Sequence, residues 1–124
     1  MRKAFLTLIL VSVTVTLYAQ NQSTGTIASK FAWDQPAPVL ADAQGYTYKY
    51  YPDGAATGIA FAGGVTCSGT ATPFVCEVNI PAFTPGSHSI SMTATNVAGE
   101  SAKSTSFAFN FVVTPAIPTN FRIK

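Results

Sequence analysis

The side chains most suited to chemistry in this 124-residue chain are few: two cysteines, one histidine and five acidic groups. Cys67 and Cys76 can close a loop of about ten residues, and a disulfide there stabilises by roughly 2–3 kcal/mol in the loop-entropy treatment. The alternative is a pair of free or buried thiols. Neither reading makes a metal centre, because two cysteines and the distant His88 fall short of a four-ligand set. A Ser-His-Asp arrangement would have to use His88, whose place in an alternating stretch turns it inward. No Gly-x-Ser-x-Gly turn accompanies it. Asp34, Asp42 and Asp53 fall in or beside predicted loops, where turn-forming Asp is the ordinary role. No Asp-x-Asp-x-Asp-Gly run marks a calcium loop. Gly63-Gly64 lacks the strand-to-helix context of a phosphate loop and reads as a turn or bulge. The sequence therefore predicts no catalytic residue, no metal ligand and no cofactor, and the protein is expected not to be an enzyme.

The N-terminus sets the compartment. Arg2 and Lys3 precede an apolar run over residues 4–17, and Tyr18-Ala19-Gln20 supplies a cleavage site. That layout predicts a signal peptide over 1–19, the alternative being an uncleaved anchor, and the apolar run is short for a membrane span. The expected destination is periplasmic, extracellular or cell-surface, with the membrane met only transiently through the signal peptide. An oxidising destination favours the Cys67–Cys76 disulfide. The chain carries seven basic and five acidic residues. Without Arg2 and Lys3 the balance is five against five: Lys30, Lys49, Lys103, Arg122 and Lys124 face Asp34, Asp42, Asp53, Glu77 and Glu100. They are scattered, and nucleic-acid binding needs clustered cations, so no nucleic-acid partner is expected.

The elements that must position these groups read as strands. No segment has a helical period, and Gly, Pro, Ser and Thr recur every eight to twelve residues or so, the spacing of a sandwich or barrel. Apolar residues alternate with polar or small ones over 27–33, 46–50, 74–80, 88–95 and 107–113, with a weaker strand over 58–65. Period-2 alternation buries one face of each strand. The predicted core contains Trp33, Tyr46, Tyr48, Tyr50, Ile90, Met92, Phe107, Phe109 and Phe111, enough large apolar surface for the domain to fold alone.

With the strands placed, residues 27–113 resemble the fibronectin type III family. Phe31-Ala32-Trp33-Asp34-Gln35-Pro36 is similar to its second strand with the core Trp, and Gly45-Tyr46-Thr47-Tyr48-Lys49-Tyr50 to its third. Pro85-Gly86-Ser87-His88-Ser89-Ile90-Ser91-Met92 is similar to the turn and sixth strand, and Ala98-Gly99-Glu100-Ser101 to the loop that follows. The resemblance implies an all-β, immunoglobulin-like sandwich of two antiparallel sheets over 26–114. It also implies a structural role for His88, which stands where the family carries a corner-tying Tyr. Two departures follow. The polar segment 20–25 has no apolar alternation, so the first strand is expected to be missing or supplied by a terminus. Residues 115–124, in contrast, resemble the opening of another repeat. They read as a linker stub, as a cover for their own sheet edge, or as a strand donated to a neighbour. Val11, Val13, Val15 and Leu17 also alternate with polar residues, so an uncleaved N-terminus is a further strand candidate.

The fold leaves function to loops and surface. The loop 35–44 is the longest and 96–103 is short and small-residued, while Tyr51 and Phe61 are candidates for an aromatic platform. The expectation is an exported binding or adhesion module of bacterial or phage type, surface- or virion-associated, with a protein or carbohydrate ligand. The second expectation is a structural subunit that self-associates by strand addition.

Overall fold

A computed structural model describes residues 23–124; the expected signal peptide and residues 20–22 lie outside the described residues. Ten elements follow in order: β1 (Ser23–Gly25), β2 (Lys30–Gln35), α1 (Leu40–Gly45), β3 (Thr47–Pro52), β4 (Ile59–Ala60), β5 (Thr66–Ser68), β6 (Phe74–Asn79), β7 (Gly86–Asn96), β8 (Gly99–Glu100) and β9 (Phe107–Phe111). They form an all-β sandwich. One sheet has the order β1-β9-β7-β3-β4 with β8 paired to β7, and the other is β2-β6-β5.

The core lies between the sheets in two clusters. Phe31, Val78, Ile80, Ile90, Phe109 and Phe111 fill one end, while Ala37, Ala43, Tyr48, Cys67, Phe74 and Cys76 fill the other. Trp33, Phe61, Val65 and Met92 touch both. Trp33 meets Tyr48 edge-on with ring centroids 5.1 Å apart, and Phe31 meets Phe109 likewise at 5.2 Å. Such geometry sets the positive edge of one ring against the negative face of the other.

Several expectations need correction. The segment 23–25 is polar, yet it forms β1 and pairs in parallel with β9, Ser23 opposite Phe109 and Gly25 opposite Phe111. Backbone pairing needs no apolar side chain, and Gly25 is packed so closely that an added Cβ would lie 2.9 Å from Ile80 Cδ1. That sheet is consequently mixed, not antiparallel. A short helix, α1, stands where no helical period was visible, because six residues are too few to show one. The stretch 58–65 is a strand only at Ile59–Ala60, and Cys67 has its own strand, β5.

Among the expected core residues, Tyr48, Ile90, Phe109 and Phe111 are buried, while Trp33, Tyr46, Tyr50 and Met92 are half-buried. Phe107 is 48% exposed. It shares parity with Phe109 and Phe111, but it faces a flank of the sandwich that no strand covers among the described residues.

Candidate binding surfaces

The two cysteines sit directly opposite each other in β5 and β6 and form a disulfide, with Cα atoms 4.0 Å apart. It lies beneath α1. Tyr48 Oη donates to the Ala43 carbonyl at 2.8 Å and stands 3.7 and 3.9 Å from the two sulfurs. Burial pushes the Tyr48 phenol up to about 12, with Tyr46 adding to the shift. Gln44 Nε2 donates to the Cys67 carbonyl, and Ala37 N–H to Thr72 Oγ1. The loop 36–46 is thus fastened to the β5–β6 end of the sandwich at several points.

At the opposite end, Asp53 and Gly54 turn the chain with φ of 49° and 75°, and Ala55 N–H closes the turn on the Pro52 carbonyl. His88 packs between Phe83 and Phe109 with ring centroids at 5.0 and 5.9 Å. Its Nδ1 lies 2.8 Å from Asp53 Oδ2 and its Nε2 lies 2.7 Å from the Thr84 carbonyl. Both contacts are acceptors, so the imidazolium, with two N–H groups, satisfies both. The Asp53 hydrogen bond, followed by that to Thr84, raises the His88 pKa above its usual range. The same His88 contact, with the Ser89 N–H, lowers that of Asp53. With Nε2 committed to a carbonyl, this His–Asp pair has no nitrogen left to deprotonate a nucleophile. It ties the corner between β6 and β7 to the β3 turn.

Several other charged groups are cross-links too. Glu100 accepts from Thr93 Oγ1 and Tyr51 Oη, both at 2.6 Å, and from Lys49 Nζ at 3.3 Å. Those three donors, in the order Thr93, Tyr51, Lys49, hold its carboxyl down at about 2. Tyr51 is buried against the sheet with Lys103 Nζ 4.0 Å above its ring. Phe61 stacks on Trp33 and lies tilted against Tyr50, with ring centroids 4.8 Å apart. Neither forms the exposed platform their types had raised. Lys30 pairs with Glu77 across β2 and β6. Asp42 lies in α1, at the far end from Asp53, and no three His, Cys, Asp or Glu side chains converge among the described residues.

Besides a hollow of about 320 Å³ beside β4, lined by Gln44, Thr47, Ala60 and Gly63 among others, two surfaces stand open among the described residues. The first is a cleft of about 370 Å³ at the loop end, lined by Gln35, Pro36, Tyr46, Asn96, Gly99 and Glu100 among others. It brings together the loops 35–44 and 96–103. Gln35 Nε2 is turned onto the Pro36 carbonyl and Asn96 Oδ1 accepts from Ala98 N–H. Their other amide atoms, Gln35 Oε1 and Asn96 Nδ2, have no partner among the described residues. Thr95 Oγ1 beneath the cleft is buried with none either. Loop length and composition in the sequence mark these loops, but only the fold sets Tyr46, Gln35 and Asn96 around one hollow.

The second surface is the flank beside β2, made of three adjoining hollows of about 100, 320 and 220 Å³. Phe31, Trp33, Ile90, Met92 and Phe107 line the largest. Residues 101–104 border it, held to β7 by Ser101 and Ser104. Each serine donates its N–H to a β7 carbonyl and accepts a β7 N–H on its hydroxyl. No helix among the described residues is long and apolar enough to cross a membrane. Comparison with protein-family models finds no matching family, and comparison with curated proteins finds no match.

Proposed function

We propose that the protein is an exported, non-catalytic binding module on a fibronectin type III-like sandwich, and that it grips a carbohydrate in the loop-end cleft. The two-sheet strand order supports the sandwich part of that reading. The three-stranded sheet β2-β6-β5 faces β1-β9-β7-β3-β4, and His88 ties a corner to a carbonyl four residues upstream, as a tyrosine does in immunoglobulin-like sandwiches. Fold alone does not assign a ligand, so the cleft carries the functional reading.

The decisive observation is the company around that hollow. Tyr46 offers an aromatic surface, and Gln35 and Asn96 offer an uncommitted amide acceptor and donor. The one charge that the described residues bring to its lining, Glu100, is already matched by Lys49 and two hydroxyls. A hydroxyl-rich, uncharged ligand fits such a set: its apolar ring face lies on the aromatic and its hydroxyls meet the amides. A phosphate or a strongly basic peptide does not.

A glycan array followed by calorimetric titration tests this. The expected result is capture of an unmodified glycan, weakened at least tenfold by Tyr46→Ala and by Asn96→Ala in variants whose circular dichroism is unchanged. No glycan binding, binding indifferent to both substitutions, or chemical conversion of the glycan each overturns it.

A further inference from the structure

We propose that the flank beside β2 is an acceptor slot for a β-strand, and that its occupant is residues 117–123 of a second copy of this chain. The reading is independent of the loop-end cleft.

The acceptor is half a ladder. Ile80 N–H donates to the Ser29 carbonyl at 3.0 Å, which sets the phase of the antiparallel β2–β6 pairing. The pairs Phe31–Val78, Trp33–Cys76 and Gln35–Phe74 exchange hydrogen bonds with one another. The N–H and C=O groups of Lys30, Ala32 and Asp34 therefore point away from β6, and β2 has no second neighbour among the described residues. A strand laid there finds unpaired backbone groups along one side and an apolar floor beneath, from Phe31 past Trp33 to Met92. Phe107, half exposed, waits at the rim. This is the geometry in which a sheet takes up an extended peptide.

The donor has the matching form. Ile117, Phe121 and Ile123 are 86%, 99% and 98% exposed, left almost bare by the described residues. In an extended strand they share one face with Thr119, while Pro118, Asn120 and Arg122 take the other. Seven residues extend over about 23 Å and the six of β2 over about 20 Å, at roughly 3.3 Å each. Asn120 sits at φ 55°, a conformation that only a minority of non-glycine residues adopt, so its shift to extended backbone moves it to a broader allowed region, and the contacts of the slot offset the entropy of ordering the tail. Slot and strand are different patches of one chain, so the contact is heterologous and propagates head to tail.

Size-exclusion chromatography with light scattering on the full chain from a secreting host, from 1 to 100 µM, tests the proposal. A labelled peptide of residues 115–124 is titrated in parallel onto a variant lacking 117–124. The expected result is concentration-dependent assembly of the full chain, abolished by Phe121→Asp, a change outside the sandwich that leaves its folding untouched. The peptide is expected to bind the truncated form and to lose at least tenfold in affinity on Ala32→Pro, which removes one free N–H from the slot. A full chain that stays monomeric at 100 µM overturns the proposal even if the peptide binds, since the tail then covers its own edge. Assembly that survives Phe121→Asp also overturns it. Tyr46→Ala is expected to leave assembly unchanged, so failure here is distinct from failure of the cleft.

Discussion

Asp53 Oδ2 and His88 Nδ1 are 2.8 Å apart, and Asp53 Oδ1 accepts the Ser89 N–H at the same distance. One carboxylate thus fastens a β-turn to both the side chain and the backbone of the neighbouring strand, while the far side of the imidazole holds the Thr84 carbonyl. The arrangement needs an anionic Asp53 and a cationic His88, and each raises the other's preference for its charged form.

Stability should therefore depend on pH in two windows. The folded-state pKa of His88 is raised above its ordinary 6.5, so its contribution is complete below 6.5 and is lost as pH climbs through the folded value. That of Asp53 is lowered from 3.8, so its contribution is complete above 3.8 and is lost as pH falls through the folded value. Urea midpoints should decline on both sides. Because the chain has one histidine, a proton NMR titration reads it without ambiguity, and Asp53→Asn should return its midpoint toward 6.5. An unshifted histidine in the parent protein would contradict the corner.

The disulfide should contribute measurably without being indispensable. Its partners are nine residues apart, which corresponds to roughly 2–3 kcal/mol. The double substitution of Cys67 and Cys76 to Ala should lower the unfolding free energy by about that amount and leave the far-ultraviolet spectrum folded. The oxidised parent should weigh two hydrogens less than its reduced form by intact mass.

Two phenylalanines two residues apart should behave very differently. Phe109 is 1% exposed at the centre of the core, so Phe109→Ala should cost about 3–5 kcal/mol. Phe107 is 48% exposed on the open flank, so Phe107→Ala should cost about 1 kcal/mol or less. Equal costs in denaturant titrations would place Phe107 in the core after all.

Gly58 is where a single methyl group should matter. A Cβ there would lie 2.6 Å from Tyr51 Cζ and 2.9 Å from its Oη, against a ring whose hydroxyl is bound to Glu100. Gly58→Ala should destabilise by about 1–3 kcal/mol by displacing that ring. In a Tyr51→Ala background the same substitution should cost little, since the obstacle is gone. Additive effects in the double-mutant cycle would disprove the collision.

Much of the sandwich was legible because period-2 alternation survives wherever a strand has one dry face. Phe74, Cys76, Val78 and Ile80 announced β6 in this way, and Tyr48 and Ile90 their own strands. The pattern failed where burial is not what makes the strand. β1 is three residues of Ser, Thr and Gly, held by backbone pairing to β9, and no side-chain pattern marks it. It failed again where parity says inside but no layer lies opposite, as at Phe107. Tyr51 is the converse: it lies on the outer face by parity, yet Glu100 and Lys103 close over it. The loop-end cleft was legible only as two long or small-residued loops. That Gln35, Tyr46 and Asn96 share a rim depends on α1 being drawn down by Tyr48 and Gln44, a tertiary fact.

The parallel pairing of β1 with β9 has a mechanical consequence. Ser23 lies opposite Phe109 and Gly25 opposite Phe111, so the chain arrives from one end of that ladder and departs past the other, where Val112 N–H still holds the Gly25 carbonyl. Tension between the preceding segment and the tail acts along the two strands in opposite senses. It shears every bond of the ladder at once and does not peel them one by one. A tether strung through such a domain resists force at its termini first, before the core is asked to yield.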